Sequence, residues 1–96
     1  MMEDKLVNTL IEELRGEYQI PPYYTDKSLT NNIKEGNDEL LRFVCEIDYD
    51  KDLTARSLLK NYVYYAFFNK TYEFFENYSK DLLSWQMSKL NGNTSI

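Results

Sequence analysis

The 96-residue chain contains no histidine, one cysteine, two prolines and three glycines. Without histidine there is no imidazole to ligate a metal or to move protons near neutral pH, and Ser-His-Asp and Cys-His constellations are impossible. The lone Cys45 cannot close a disulfide within the chain and reads as a buried or half-buried structural thiol. No glycine-rich loop is present to cradle a phosphate, and no Cys or His cluster can hold zinc. Charges interrupt every apolar segment, so no run approaches the ~18 to 20 residues of a membrane span. The opening MMEDK lacks the basic-then-apolar pattern of a signal peptide. The expectation is an intracellular chain with no membrane partner.

Base is scarcer than acid. The net charge is −5, and residues 1–52 carry thirteen acids and six bases whereas residues 53–96 carry three acids and five bases. Proteins that read nucleic-acid grooves gain most of their affinity from basic patches, which this balance does not supply. The lopsided charge is compatible with head-to-tail association, and equally with helices that are solvated for solubility alone. The acids Asp48, Asp50 and Asp52 alternate as in the first half of an EF-hand loop. The match fails at the sixth position, which is Leu53 in place of glycine, and at the twelfth, which is Leu59 in place of glutamate. No metal and no cofactor is expected.

What the chain has is aromatic surface. Ten of its fifteen aromatic residues lie between Tyr62 and Trp85, in a stretch without Gly or Pro. Each ring buries ~150–250 Å² when covered. Ten on one helical stretch exceed what two short amphipathic helices cover, and the surplus points to a partner.

Taken in order, the chain predicts an all-α fold, a small helical bundle in one domain over residues 1–90 with a flexible tail at 91–96. Leu6, Leu10, Ile11 and Leu14 give a helix over 3–15, with Gly16 as its stop. Pro21 and Pro22 bar helix and favour an extended connector, pinned by Ile20, Tyr23 and Tyr24. Thr25 or Asp26 caps a second helix that carries Leu29, Ile33, Leu40, Leu41, Phe43 and Val44 and ends near Cys45. Gly36 inside it marks either a close helix crossing, the preferred reading, or a bend. Asp50 or Asp52 caps the next helix, which opens a long helical region over about 52–90. Its buried stripe runs through Leu58, Leu59, Tyr62, Val63 and Ala66, then through Phe67, Phe68, Thr71, Phe74, Phe75, Tyr78, Leu82 and Trp85. The phase change near Asn69 predicts a bend or break at Asn69-Lys70 or at 77–79.

Catalysis finds little support. Glu12 with Glu13 and Asp38 with Glu39 are adjacent acids of the kind that decorate solvated helix faces, and so small a domain has little room for a deep pocket. Base stacking by the rings lacks the basic groove of a single-strand binder, because Glu73, Glu76 and Asp81 interleave with Arg56, Lys60, Lys70, Lys80 and Lys89. Protein association remains, with Tyr62, Tyr65, Phe68, Tyr72 and Phe75 as the candidate interface rings.

The order of several short segments adds a resemblance. The run TDKSLTNNIKEGNDELL, the acidic link DYDKD and then TARSLLKNYVYYAFFNKTYEFFENYSKDLLSWQ cover about two thirds of the chain. Their most specific part is Ala55-Arg56-Ser57-Leu58-Leu59, Asn61-Tyr62, Tyr65, Asn69, Phe75-Glu76-Asn77-Tyr78 and Asp81-Leu82-Leu83. This order resembles the helical head-tail connector (head-completion or adaptor) proteins of long-tailed bacteriophages. Residues 3–15 lie outside the resembling part, the link before Asp48 is short, and Tyr64 stands where a basic residue is expected. The resemblance implies a non-enzymatic virion protein at the head-tail interface, made in the bacterial host cytoplasm. Its copies would form a closed ring of about twelve between the portal protein and a tail or stopper protein, with DNA as passing cargo. Two rival expectations stand beside it: a small acidic regulator of a host or phage protein, and a helical binder of single-stranded nucleic acid.

Overall fold

The computed structural model describes the backbone of residues 2–94 and the side chains of residues 2–90. Five helices follow one another: α1 (Asp4–Glu17), α2 (Asp26–Leu40), α3 (Leu53–Phe67), α4 (Thr71–Asn77) and α5 (Ser79–Thr94). The described residues contain no strand, so the all-α expectation holds. α3 is the central element and touches all four others.

Helix boundaries follow from local hydrogen bonding. α1 passes straight through Gly16, the predicted stop, because a side chain there would meet nothing and its own backbone is helical. It ends one residue after Gly16, where Tyr18 donates its amide to the Leu14 carbonyl and Gln19 turns to a left-handed φ of 54°. Thr25 caps α2, accepting the Ser28 amide at 3.1 Å. α2 stops at Leu40, not near Cys45. The Arg42 and Phe43 amides reach back only three residues, to the Glu39 and Leu40 carbonyls, and tighten the last turn. This turn sends the connector under the bundle, where Tyr49 is 3% exposed and donates to Asn37 Oδ1 at 2.8 Å. Leu41 is consequently exposed and Cys45 is an exposed thiol, contrary to its structural reading.

Between the two aspartates proposed for the next cap, Asp52 is the one that acts, accepting the Ala55 amide at 3.0 Å. Asp50 instead faces the Arg56 guanidinium at 3.7 Å. The predicted break after the long aromatic run occurs twice. At the first, Asn69 adopts φ 59°, its amide donates to Ala66 O and the Lys70 amide to Tyr65 O. This is the Schellman pattern, with asparagine in the left-handed position that glycine usually takes. At the second, Tyr78 alone separates α4 from α5. The backbone of α5 continues past Leu90 to Thr94; Ser95 and Ile96, the end of the expected flexible tail, lie outside the described residues.

The core is an aliphatic layer, Leu10, Leu14, Leu29, Ile33, Leu40, Leu59 and Val63, joined by Phe74 of α4 and by Leu82 and Trp85 of α5. Val7 takes the buried place expected of Leu6, which is partly covered. Gly36 lies where α2 meets α3. A Cβ there would stand 2.7 Å from both Leu59 Cδ1 and Tyr62 Cδ1, so the glycine's helix-propensity cost of ~1 kcal/mol is offset by the close crossing it permits. The charge imbalance is partly settled inside the molecule. Glu13 receives hydrogen bonds from Arg56 and from Lys60 Nζ at 2.9 Å, and Lys60 also reaches Glu17 at 2.8 Å. Glu13 is therefore no solvated surface acid, and acidic α1 is joined to the basic part of α3.

Candidate protein-interaction surface

The aromatic stretch divides once it is folded. Phe74, on α4, is fully buried, with its ring stacked on Tyr78 at 4.9 Å and in edge contact with Tyr62 at 5.5 Å. Tyr62, an expected interface ring, belongs to the core at 3% exposure. It donates its hydroxyl to Glu35, and burial together with that carboxylate pushes its phenol above the ordinary value. A neutral, hydrogen-bonded tyrosine wedged against Gly36 is held by its own chain and is withdrawn from any partner.

The other four candidates do not share one face. Tyr65 is half-buried against Phe74 and Tyr78, and its hydroxyl accepts from Asn77 Nδ2 at 3.1 Å. Phe68 is 51% exposed, though the stripe reading had it buried. The reason is the Schellman turn: Phe68 is the cap residue of α3 and its φ/ψ has already left the helix. Tyr65 and Phe68, with Tyr18, Tyr64 and Tyr78, line an open groove of about 440 Å³ rimmed by Lys70 and Glu73. Its walls are set edge to face, Tyr18 on Tyr64 at 5.2 Å and Tyr64 on Phe68 at 5.1 Å. Burial raises the Tyr18 and Tyr78 phenols. Phe75 opens instead on a separate shallow depression with Glu39, Arg42 and Phe43, and Tyr72 stands 65% exposed.

A second apolar surface escaped the sequence reading. On α5, Leu82 and Trp85 face the core, while Leu83, Met87 and Leu90 are 55%, 52% and 58% exposed. The spacing i, i+4, i+7 places these three on one face. The signal was present in the sequence, but the inward stripe of the same helix masked it. α5 is anchored by its other side: Trp85 Nε1 donates to Asp52 Oδ2 at 2.9 Å, Lys89 approaches the same oxygen at 3.1 Å, and Gln86 Nε2 donates to Phe43 O at 2.9 Å. Burial works to raise the Asp52 carboxyl, but the indole, the Ala55 amide and Lys89 hold it below the usual range. Asp52 thus caps α3 and latches α5 with one carboxylate.

Of the connector residues, Ile20 is buried and Tyr24 packs edge-on to Phe67 at 4.9 Å, whereas Tyr23 is 80% exposed and pins nothing. Arg15 does that work, donating to Pro21 O at 3.0 Å and Tyr24 O at 2.8 Å while pairing with Asp26 at 2.7 Å. Among the described residues no group of acids or thiols is arranged to hold a metal ion, and no helix is long and apolar enough to cross a membrane. Comparison of the chain with family models, with curated proteins and with solved structures finds no match in any of the three.

Proposed function

We propose that this chain is a non-enzymatic assembly protein whose copies associate into a ring, acting at the head-tail interface of a bacteriophage virion between portal and tail or stopper proteins. The observation that carries the reading is the amount of apolar surface left open on α3, α4 and α5 after the core is complete: Phe68, Tyr72, Leu83, Met87 and Leu90 are each more than half exposed. Exposed apolar patches on a stable domain mark interaction sites. The segment order that resembles the connector family supplies the kind of assembly, and an acidic net charge of −5 suits a channel through which DNA passes without sticking.

Two features weigh against the rivals. Arg56 and Lys60, which a single-strand binder needs beside its rings, are engaged by Glu13 and Glu17. Glu13, Glu17, Asp26 and Asp52 are themselves paired with bases, which thins the dense acidic face that a nucleic-acid mimic requires. Light scattering on the protein at high concentration, and on its mixture with portal protein, tests the proposal. Rings are expected in at least one of the two conditions; a strict monomer in both overturns it.

A further inference from the structure

The start of α1, the last turn of α2 and the connector that follows α2 enclose a cleft of about 500 Å³. The charged residues that line it are all acids: Glu3, Glu46, Asp48 and Asp50. Two of the four have bases nearby, since Arg56 lies 3.7 Å from Asp50, and Asp48 also borders a shallow depression with Lys51 and Lys89. Glu3 and Glu46 are exposed and pair with no base among the described residues. Asn37 lines the same cleft and is only 9% exposed. Its Oδ1 accepts the Tyr49 hydroxyl at 2.8 Å, while its Nδ2 donates to no described residue. No fully enclosed side-chain donor or acceptor among the described residues lacks a partner. The Asn37 nitrogen is therefore open, and the cleft is what it opens into.

A cleft lined by one sign of charge attracts the other sign and repels its own, which favours cations over phosphates. The acids do not converge on a point: among the described residues no group of three acids or thiols is arranged to hold a metal ion. Positive charges spaced along a chain suit such a rim better than one ion. The amide nitrogen adds a second requirement, an acceptor, because a buried donor left without one is costly. Backbone carbonyls inside a helix are already taken by the helix's own amides, whereas those of an extended segment are free. We infer that the cleft receives a basic, extended segment of a partner protein, a backbone carbonyl of which accepts from Asn37 Nδ2 while its lysine or arginine side chains lie against Glu3 and Glu46. Leu6, Leu41 and Ile47 of the same lining give apolar contact to the methylene stems of those side chains. Exposed ion pairs contribute little, so the contact is weak and its selectivity comes from the amide. It does not depend on ring formation.

Fluorescence anisotropy at low salt tests it, with a labelled peptide of alternating arginine and alanine, about seven residues long, as the probe. The wild type is expected to bind it saturably, with a Kd below ~1 mM. Glu3→Gln with Glu46→Gln is expected to weaken binding about tenfold. Glu12→Gln with Asp81→Asn removes the same charge from exposed positions outside the cleft and is expected to weaken it less than about twofold. Asn37→Asp keeps the oxygen that Tyr49 needs, removes the donor and adds a negative charge. General attraction predicts that this variant binds more tightly, whereas the carbonyl contact predicts binding weaker by several fold; circular dichroism checks that each variant retains its helix content. Spermidine, which carries positive charge and no carbonyl, is expected to displace the peptide only in large excess. Absence of peptide binding at ~1 mM, equal loss in the two double variants, tighter binding by Asn37→Asp, or displacement by equimolar spermidine each overturns the inference.

Discussion

The α1–α2–α3 body and the α4–α5 arm draw on similar apolar content and treat it differently. In the body, seven large aliphatic residues from Leu10 to Val63 are fully buried, and Glu13, Glu17 and Asp26 are matched to bases across helix boundaries. Among the described side chains of the arm only Phe74, Leu82 and Trp85 are buried, and Tyr72, Leu83, Met87 and Leu90 stand open. Apart from Tyr23, Leu41, Leu53 and the groove at the end of α3, the body is covered by its own chain. The arm spends three residues on attachment and keeps a second face free. The difference teaches that aromatic density along a sequence measures how much surface must be covered, and not by whom.

If the body and the anchor residues of the arm form one cooperative core, Phe74→Ala removes the largest fully buried side chain. It is expected to destabilise the protein by ~3–5 kcal/mol in urea unfolding; a loss below 1 kcal/mol would show that the arm is not part of that core. The ionic seam of the body is addressed by pH. The Arg56 hydrogen bond, with Lys60, holds the Glu13 carboxyl down at about 2, below its ordinary 4.5. A carboxyl depressed in the folded state contributes stability that is complete above its unfolded pKa and is lost as pH falls toward the folded one. Stability is therefore expected to fall by about 2 kcal/mol between pH 5 and pH 2 through this group. Glu13→Gln should flatten that part of the profile, and an unchanged acid slope would contradict the seam.

Gly36→Ala tests the tightest point of the body. Its new methyl meets Leu59 and Tyr62 at 2.7 Å, and the overpacking should cost ~1–3 kcal/mol in thermal unfolding in spite of alanine's better helix propensity. Asp52→Ala separates the arm from the body more gently. Loss of the α3 cap costs ~1 kcal/mol, and the freed indole and Lys89 should accelerate amide exchange in α5 more than in α1 or α2; uniform acceleration would deny the latch. At the bottom of the scale, Leu83→Ser should change stability by no more than ~0.5 kcal/mol, as surface substitutions do, which keeps it available as a probe of association alone.

Much of the body was legible because its signals are local. The spacing of Leu10, Ile11 and Leu14, the threonine and aspartate before α2 and α3, and the proline pair each act on a few neighbouring residues. The phase change of the apolar stripe near Asn69 signalled a break and left 69–70 and 77–79 both open; the asparagine's tolerance of a left-handed backbone is what ends α3 at the first of them. The connector after α2 was misread because a continued apolar pattern through Val44 suits a helix as well as a turn. The deciding contact, Tyr49 to Asn37, spans twelve residues. Of the five candidate interface rings, Tyr62 proved internal, Tyr65 and Phe68 meet in one groove, Phe75 faces elsewhere, and Tyr72 stands exposed.

The sequence by itself determined the helical class and narrowed the caps to Thr25 or Asp26 and to Asp50 or Asp52, the breaks to 69–70 or 77–79, and Gly36 to a close crossing or a bend, since each depends on backbone preference or residue size at one place. Only the tertiary structure decided which rings are covered. An aromatic side chain is buried or exposed according to what lies across from it. For Tyr62 that is α2 with Gly36 and Glu35, for Phe68 it is a turn that leaves the helix, and for Leu83, Met87 and Leu90 it is the side of α5 that Asp52 does not hold.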